Sequence, residues 1–421
     1  MDDSKACLTL QEEGTCLDVE NPEDKIDYSV LRTRGKSLRK MTLYAFVACL
    51  SVLGVYGSLQ RSSSAVKVLA VGDDVLVERK PEIIGGGPTL INTKSGPVQG
   101  FATNSTVAFL GIPYAKAPVG ELRFESPFPN DPWTEVLNAT EFSAGCPQDC
   151  QLPEIMCPLK QSEDCLYLNV YTPDKEPPEE GWPVYVFIHG GAFQNGEAGT
   201  FAYVGFGFAQ NDVILVAMNY RLGAFGFLNY GDIEGNYGFQ DQIRALQWVQ
   251  DNIGSFGGDN TRVTLGGESA GAVSVMCHLV SPLSQGLFSK AIIESSPLAL
   301  PFSKKKDNRF YSKFVSLSNC KDSKDVKTCL RALSSESIVK IMDDTANDIF
   351  PFPNPDIIPM PWTPSIGTVE LPEHPYISMK NKQMSKVPVL VGGNLEDARI
   401  FVYGFANFTL SPLEYYLTIF G

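Results

Sequence analysis

The sequence predicts an α/β sandwich, a mostly parallel central sheet with helices on both faces, and three observations lead there. Continuous apolar runs at residues 184–188, 213–218, 263–266, 291–294 and 387–391 alternate with helical periodicities. Uninterrupted apolar strands are buried on both sides, which parallel sheets require and half-solvated antiparallel sheets do not. The clearest helix spans 238–252, where Phe239, Ile243, Leu246, Val249 and Ile253 recur near the 3.6-residue period and Gly254 and Gly257 supply the stop. Finally, Gly267-Glu268-Ser269-Ala270-Gly271 joins the run 263–266 directly to an Ala/Val/Met-rich helical stretch. That reads as a strand, a strained one-residue turn and a helix.

The 421 residues hold one large or two ordinary domains, and 43% hydrophobic content is enough for a sizeable core. A net charge of −14 with no basic stripe excludes nucleic acid as a partner and describes a solvated acidic surface. Residues 41–60 carry no charged side chain, the length of one helical bilayer crossing. Arg32, Arg34, Lys36, Arg39 and Lys40 precede them, and only Arg61 and Lys67 follow closely, which places the N-terminus in the cytosol. A cleaved signal peptide would have a shorter polar leader, so the segment reads as an uncleaved anchor. The organisation is then a disordered cytosolic tail (1–40), a transmembrane signal-anchor (41–60), a stalk (61–91) with Ser62-Ser63-Ser64 and Gly85-Gly86-Gly87, and a globular domain (92–421) facing the lumen or cell exterior.

Three sequons, at Asn104, Asn138 and Asn407, all lie beyond the apolar segment, as that topology requires. Of ten cysteines, Cys7 and Cys16 fall on the cytosolic side and Cys49 in the membrane. Cys146, Cys150, Cys157 and Cys165 cluster, and Cys320 and Cys329 form a local pair, suited to disulfides in an oxidising lumen. The cluster lacks the histidines a zinc site would need, so no metal is expected. Cys277 remains as a small buried hydrophobe.

The chemistry centres on Ser269. Flanking glycines allow the tight bend that lifts its hydroxyl from the sheet and aims the first helical amides at the same spot. A second element, His189-Gly190-Gly191-Ala192-Phe193, follows the run 184–188. A glycine-rich turn after a buried strand can hold amides on a developing oxyanion. Together the two elements point to acyl transfer.

From Asn92 onward the chain resembles the type-B carboxylesterases, cholinesterase-like members of the α/β-hydrolases. The likeness runs through Phe109-Leu110-Gly111-Ile112-Pro113-Tyr114-Ala115, Pro118-Val119-Gly120-Glu121-Leu122-Arg123-Phe124 and Glu163-Asp164-Cys165-Leu166-Tyr167-Leu168-Asn169-Val170. It continues through the His189 turn, Asn219-Tyr220-Arg221-Leu222-Gly223, Phe256-Gly257-Gly258-Asp259 and the serine turn. The resemblance implies Ser269 as nucleophile and the backbone amides of Gly191, Ala192 and Ala270 as oxyanion donors, with no cofactor. It implies a structural ion-pair cluster of Arg123, Glu163 and Asp164, and disulfides Cys146–Cys165 and Cys320–Cys329; apart from the resemblance, Cys150 and Cys157 are expected to form an extra pair. Aligning Gly392 and Phe401 with the family puts Asp397 at the acid position, Glu396 being the alternative one residue away. His189 is expected to be a packed strand-end residue, His278 structural, and His374 a surface-loop residue. None of them sits where the family carries its base.

The expected function is hydrolysis of a small carboxylic ester by a membrane-anchored domain. The 421-residue chain is read as a fragment lacking the catalytic histidine and the last sheet strand, and inactive alone. The alternative is a catalytically dead adhesion or receptor protein on the same scaffold. No tryptophan lies between Cys146 and Cys165 to bind a quaternary ammonium, so a choline ester is disfavoured.

Overall fold

The computed structural model describes residues 68–71, 74–77, 88–103, 105–150, 156–297, 303–304, 309–349 and 362–397. The tail, the anchor segment, Asn104, Asn407, Cys7, Cys16 and Cys49 lie outside the described residues. Within them no helix is long and apolar enough to cross a membrane.

Strands β1 (Val68–Val71) and β2 (Asp74–Val77) pair antiparallel within the segment expected to be a stalk. Two apolar β-branched runs separated in sequence by Gly72-Asp73 are a hairpin signal that outweighs the serines and glycines around them. The main sheet also begins earlier than Asn92. Its outer strand β3 is Pro88–Asn92, followed by β4 (Pro97–Thr103), β5 (Thr106–Pro113), β6 (Leu137–Asn138) and β7 (Tyr167–Pro173). Then come β8 (Trp182–Ile188), β9 (Ile214–Met218), β10 (Gly258–Glu268), β11 (Lys290–Glu294) and β12 (Val389–Gly392).

These ten strands lie in the order β12-β11-β10-β8-β9-β7-β5-β4-β3, with β6 beside β4. From β9 through β12 every ladder is parallel, whereas β3, β4, β5, β7 and β9 pair antiparallel. The five runs read from the sequence are the parallel half. The antiparallel half is harder to read because polar residues and glycines break its apolar runs, as at Gln99-Gly100 of β4 and Asn169 of β7, and a bulge interrupts β5. At Gly111 (φ +69°) the register of β5 shifts, and the freed amide donates to Asn169 Oδ1 at 2.9 Å.

Alternation along the strands covers both faces of the sheet. Val184, Val186 and Ile188 of β8 enter the main core with the side chains of α1 (Tyr237–Asn252) and α2 (Ala270–Val280). Tyr185 and Phe187 point the other way, into a smaller cluster with Phe101, Leu110, Tyr171 and Leu215. α1 matches the expected helix, although Gly254 does not end it. The chain tightens into a 3₁₀ turn at Ile253–Phe256, and Gly257 at φ +80° makes the break.

Two buried arginines tie the connecting loops to this core. Arg123 forks onto Glu163 and donates to the carbonyls of Leu330, Arg331 and Leu333 at the end of α4 (Val326–Arg331), the third helix in this part of the chain being α3 (Arg309–Leu317). Asp164, expected in that cluster, faces the Tyr167 hydroxyl instead. Arg221 forms a second buried pair. Its Nε and Nη2 donate to Asp241 on α1 at 2.8 and 2.7 Å, its backbone amide reaches the same carboxylate at 3.0 Å, and Asp241 is fully buried. Disulfides join Cys146 to Cys165, Cys150 to Cys157 and Cys320 to Cys329, while Cys277 is a buried free thiol. They place the domain in an oxidising compartment, secreted or lumenal.

Removing one member of a buried, multiply bonded ion pair strands the other in a medium that cannot solvate it. Asp241→Ala is therefore expected to lower unfolding stability by about 3–5 kcal/mol. Urea denaturation would check this, and a loss under about 1 kcal/mol would show that Arg221 finds solvent or another partner.

Candidate active site

The parallel strands β8, β10, β11 and β12 all end at the same rim, and register aligns their ends. Ile188 pairs with Gly267, Glu268 with Glu294, and Glu294 with Gly392. Loops leaving the carboxyl ends of parallel strands are where such sheets build sites. Here they bring together His189-Gly190, Glu268-Ser269, Glu294-Ser295 and the Asp397 loop, segments spread over two hundred residues.

Ser269 sits at φ 55°, ψ −118°, a conformation costly for any residue with a side chain. It persists because its surroundings impose it. The Ser269 amide donates to Glu294 O at 3.0 Å, and its carbonyl accepts the first hydrogen bond of α2, from Val273 at 3.0 Å. The glycines on either side are needed for space. A Cβ on Gly271 would stand 2.0 Å from Ile188 O, and one on Gly267 2.5 Å from the Gly271 carbonyl carbon. The serine stands off the sheet but not on the molecular surface, being only 4% exposed, because the loops over the strand ends wall it in.

The second turn meets it directly. A Cβ on Gly190 would lie 3.2 Å from Ser269 Cβ, so the His189–Phe193 segment and Ser269 touch through a glycine. Gly191, Ala192 and Phe193 follow at φ 102°, 57° and 60°. This left-handed run is unusual for the two non-glycine residues. It is held by amides of Gln194 and Asn195 on Gly191 O (3.0 and 2.9 Å) and by Gly223 on Phe193 O (2.7 Å). Ala270 is the first residue of α2, where backbone amides lack helical partners.

The three histidines are engaged elsewhere. His189 is buried, stacked on Tyr220 at 4.5 Å, with Nδ1 donating to Gly190 O at 2.8 Å. Desolvation pulls its pKa down to about 4 against that hydrogen bond, so it is neutral. His278 lies fully buried on α2 beside Phe239, its pKa lowered to about 3 by desolvation. His374 is not a bare loop residue: its Nδ1 accepts from Tyr376 N at the start of a short helix, Pro375–Lys380.

Three carboxylates gather at this rim, those of Glu294 and Asp397 acting on Glu268 beside Ser269. Asp397 Oδ1 accepts from Asn394 Nδ2 at 2.8 Å, and Oδ2 lies over Gly393. Glu396 is its neighbour in the same turn. Glu268, only 8% exposed, has its pKa pushed up to about 8, first by desolvation and then by Glu294 and Asp397. Glu294 is raised too, by partial desolvation. Glu268 was passed over in the sequence as a variable position of the serine motif. The clue was an acidic residue between a buried strand and a buried helix, where a charge has no solvent.

The carboxylesterase family pattern matches residues 87–412. The chain is 38% identical over 338 residues to the crystal protein of Dictyostelium discoideum, spanning 78% of this chain and 60% of that one. It is 38% identical to the cholinesterase of Mus musculus, spanning 76% of this chain and 55% of the relative. A solved structure of PNB esterase superposes with a TM-score of 0.69 at 35% identity, covering 76% of this chain and 65% of that one. The chain spans about 60% of the length of curated relatives it matches.

Gly271→Ala drives a Cβ into a backbone carbonyl that cannot yield, and is expected to cost about 3 kcal/mol or more in urea unfolding. Tolerance of the methyl would mean that α2 can draw back from β8. Folded Glu268 holds its proton to about pH 8, while an unfolded glutamate releases it near 4.5. Between those values the folded state binds more protons, so this contribution to stability is present below the lower value and lost as pH rises through the upper one. Wild type should thus lose melting temperature relative to Glu268→Gln between about pH 5 and pH 8.5. Parallel curves would show the carboxyl to be solvated.

Proposed function

The chain belongs to the carboxylesterase family, and from that premise we propose that it hydrolyses carboxylic esters with Ser269 as nucleophile. The observation that carries this reading is the strained elbow pressed against Gly190. A protein that only bound partners would have no use for holding a hydroxyl at φ 55°, ψ −118° between two glycines that admit no Cβ.

In this mechanism the serine gives its proton to an imidazole as its oxygen bonds to the ester carbonyl carbon. The amides of Gly191, Ala192 and Ala270 hold the resulting oxyanion. Collapse breaks the bond to the alcohol, which leaves with the proton from the imidazolium. A water molecule then repeats the sequence on the acyl-enzyme and releases the acid. Asp397 orients the imidazole and stabilises its charge, in preference to Glu396, because its loop continues from β12 beside Glu294 and its charge is felt at Glu268. The imidazole is none of His189, His278 and His374, whose rings are engaged away from Ser269. The mechanism leaves the imidazole unassigned among the described residues.

The uncharged segment 41–60 and the disulfides support a type II membrane protein with its esterase domain lumenal or extracellular. Asn138 is exposed and available to a glycan. The absence of tryptophan between Cys146 and Cys165 supports an uncharged ester over a choline ester. A non-catalytic adhesion role is the second reading, favoured by the three engaged histidines.

A fluorophosphonate probe should label the full-length protein and leave Ser269→Ala unlabelled. Asp397→Asn should slow labelling by roughly three to four orders of magnitude. No labelling of wild type would remove the esterase reading. Full-rate labelling of Asp397→Asn would move the acid role to Glu396.

A further inference from the structure

Behind the nucleophile helix runs a buried polar chain that the catalytic assignment does not use. Ser284 Oγ lies 2.8 Å from His278 Nδ1, and His278 Nε2 lies 3.1 Å from Gln242 Oε1. Gln242 Nε2 reaches Ser274 Oγ at 3.1 Å, and Ser274 Oγ reaches Ala270 O at 3.1 Å. All four side chains are fully buried.

The directions of these bonds follow from their ends. A carbonyl can only accept, so the Ser274 hydroxyl spends its one proton on Ala270 O. The Gln242 amide must then donate to Ser274, which turns its carbonyl towards His278. That fixes a proton on His278 Nε2 and leaves Nδ1 to accept from Ser284. The neutral imidazole this demands agrees with the depressed His278 pKa. Four donors thus point one way through the interior, each bond polarising the next. The chain ends on the residue whose amide is the expected oxyanion donor.

Position gives this a consequence. The first turn of α2 is held on one side by the contact of Gly271 with Ile188 O, next to the Gly190 turn. On the other side Gln242 ties it to α1, itself locked by the ion pair of the adjacent Asp241 with Arg221. A hydroxyl bonded back to the carbonyl four residues earlier bends a helix slightly, so that bond sets the tilt of the turn.

We propose that Gln242, acting through Ser274, is a positioning residue for the oxyanion hole: it keeps the Ala270 amide in register with the Gly190–Ala192 turn. This rests on the esterase reading above.

The test separates positioning from stability. Ser274→Ala alone leaves the Gln242 amide buried without a partner and should lower Tm. Adding Gln242→Met removes that donor as well, and the His278 proton can pass to Nδ1 and be donated to Ser284 Oγ instead, so Tm should largely recover. With p-nitrophenyl acetate and the full-length protein, kcat per titrated serine in the double variant should nevertheless stay about tenfold low with KM unchanged, a fraction of the hundredfold or more that loss of an oxyanion donor costs. If kcat per titrated serine recovers together with Tm, the proposal is overturned. If wild type shows no turnover, the esterase reading fails, and amide hydrogen exchange over residues 269–273 decides the positioning claim. Faster exchange in the Tm-recovered double variant supports it, and unchanged exchange overturns it.

Discussion

The carbonyl oxygen of Ile188 governs the geometry around Ser269. It terminates β8, and both Gly267 and Gly271 press against it so closely that a Cβ on either would collide. The serine between them has nowhere to put its backbone except a left-handed, extended conformation that the chain would otherwise avoid. The strain is sustained by ladder pairing of Gly267 with Ile188 and Glu268 with Glu294. The same contact seats α2 against the Gly190 turn, so one constraint places Ser269, the first amides of α2 and the opposing loop together.

Charge at this rim follows from burial. Three carboxylates, on Glu268, Glu294 and Asp397, are brought close by four parallel strand ends, and the enclosed one yields by keeping its proton. The buried histidines obey the same rule with opposite sign, since desolvation keeps both His189 and His278 uncharged.

Rigidity reaches the site through α1, which packs in the same core as α2. Arg221 grips Asp241, and the next residue, Gln242, grips α2. The Asn219–Gly223 loop, α1 and α2 therefore behave as one braced unit. A buried ion pair earns its place here through specificity of position more than through net stability.

The amino-acid sequence by itself determined the parallel half of the sheet, the helix at Tyr237–Asn252, and the two glycine-framed turns at His189–Phe193 and Gly267–Gly271. Each depends on neighbours in the chain: an apolar period, a glycine that frees a bend, a local spacing. Only the tertiary structure decided that the antiparallel strands join the same sheet, that Glu268 is enclosed and protonated, that Arg221 meets Asp241, and that Gln242 reaches Ala270 through Ser274. These depend on residues 20 or more positions apart being packed side by side. Desolvation and buried hydrogen bonding are properties of that packing, and no local pattern of residue types encodes them.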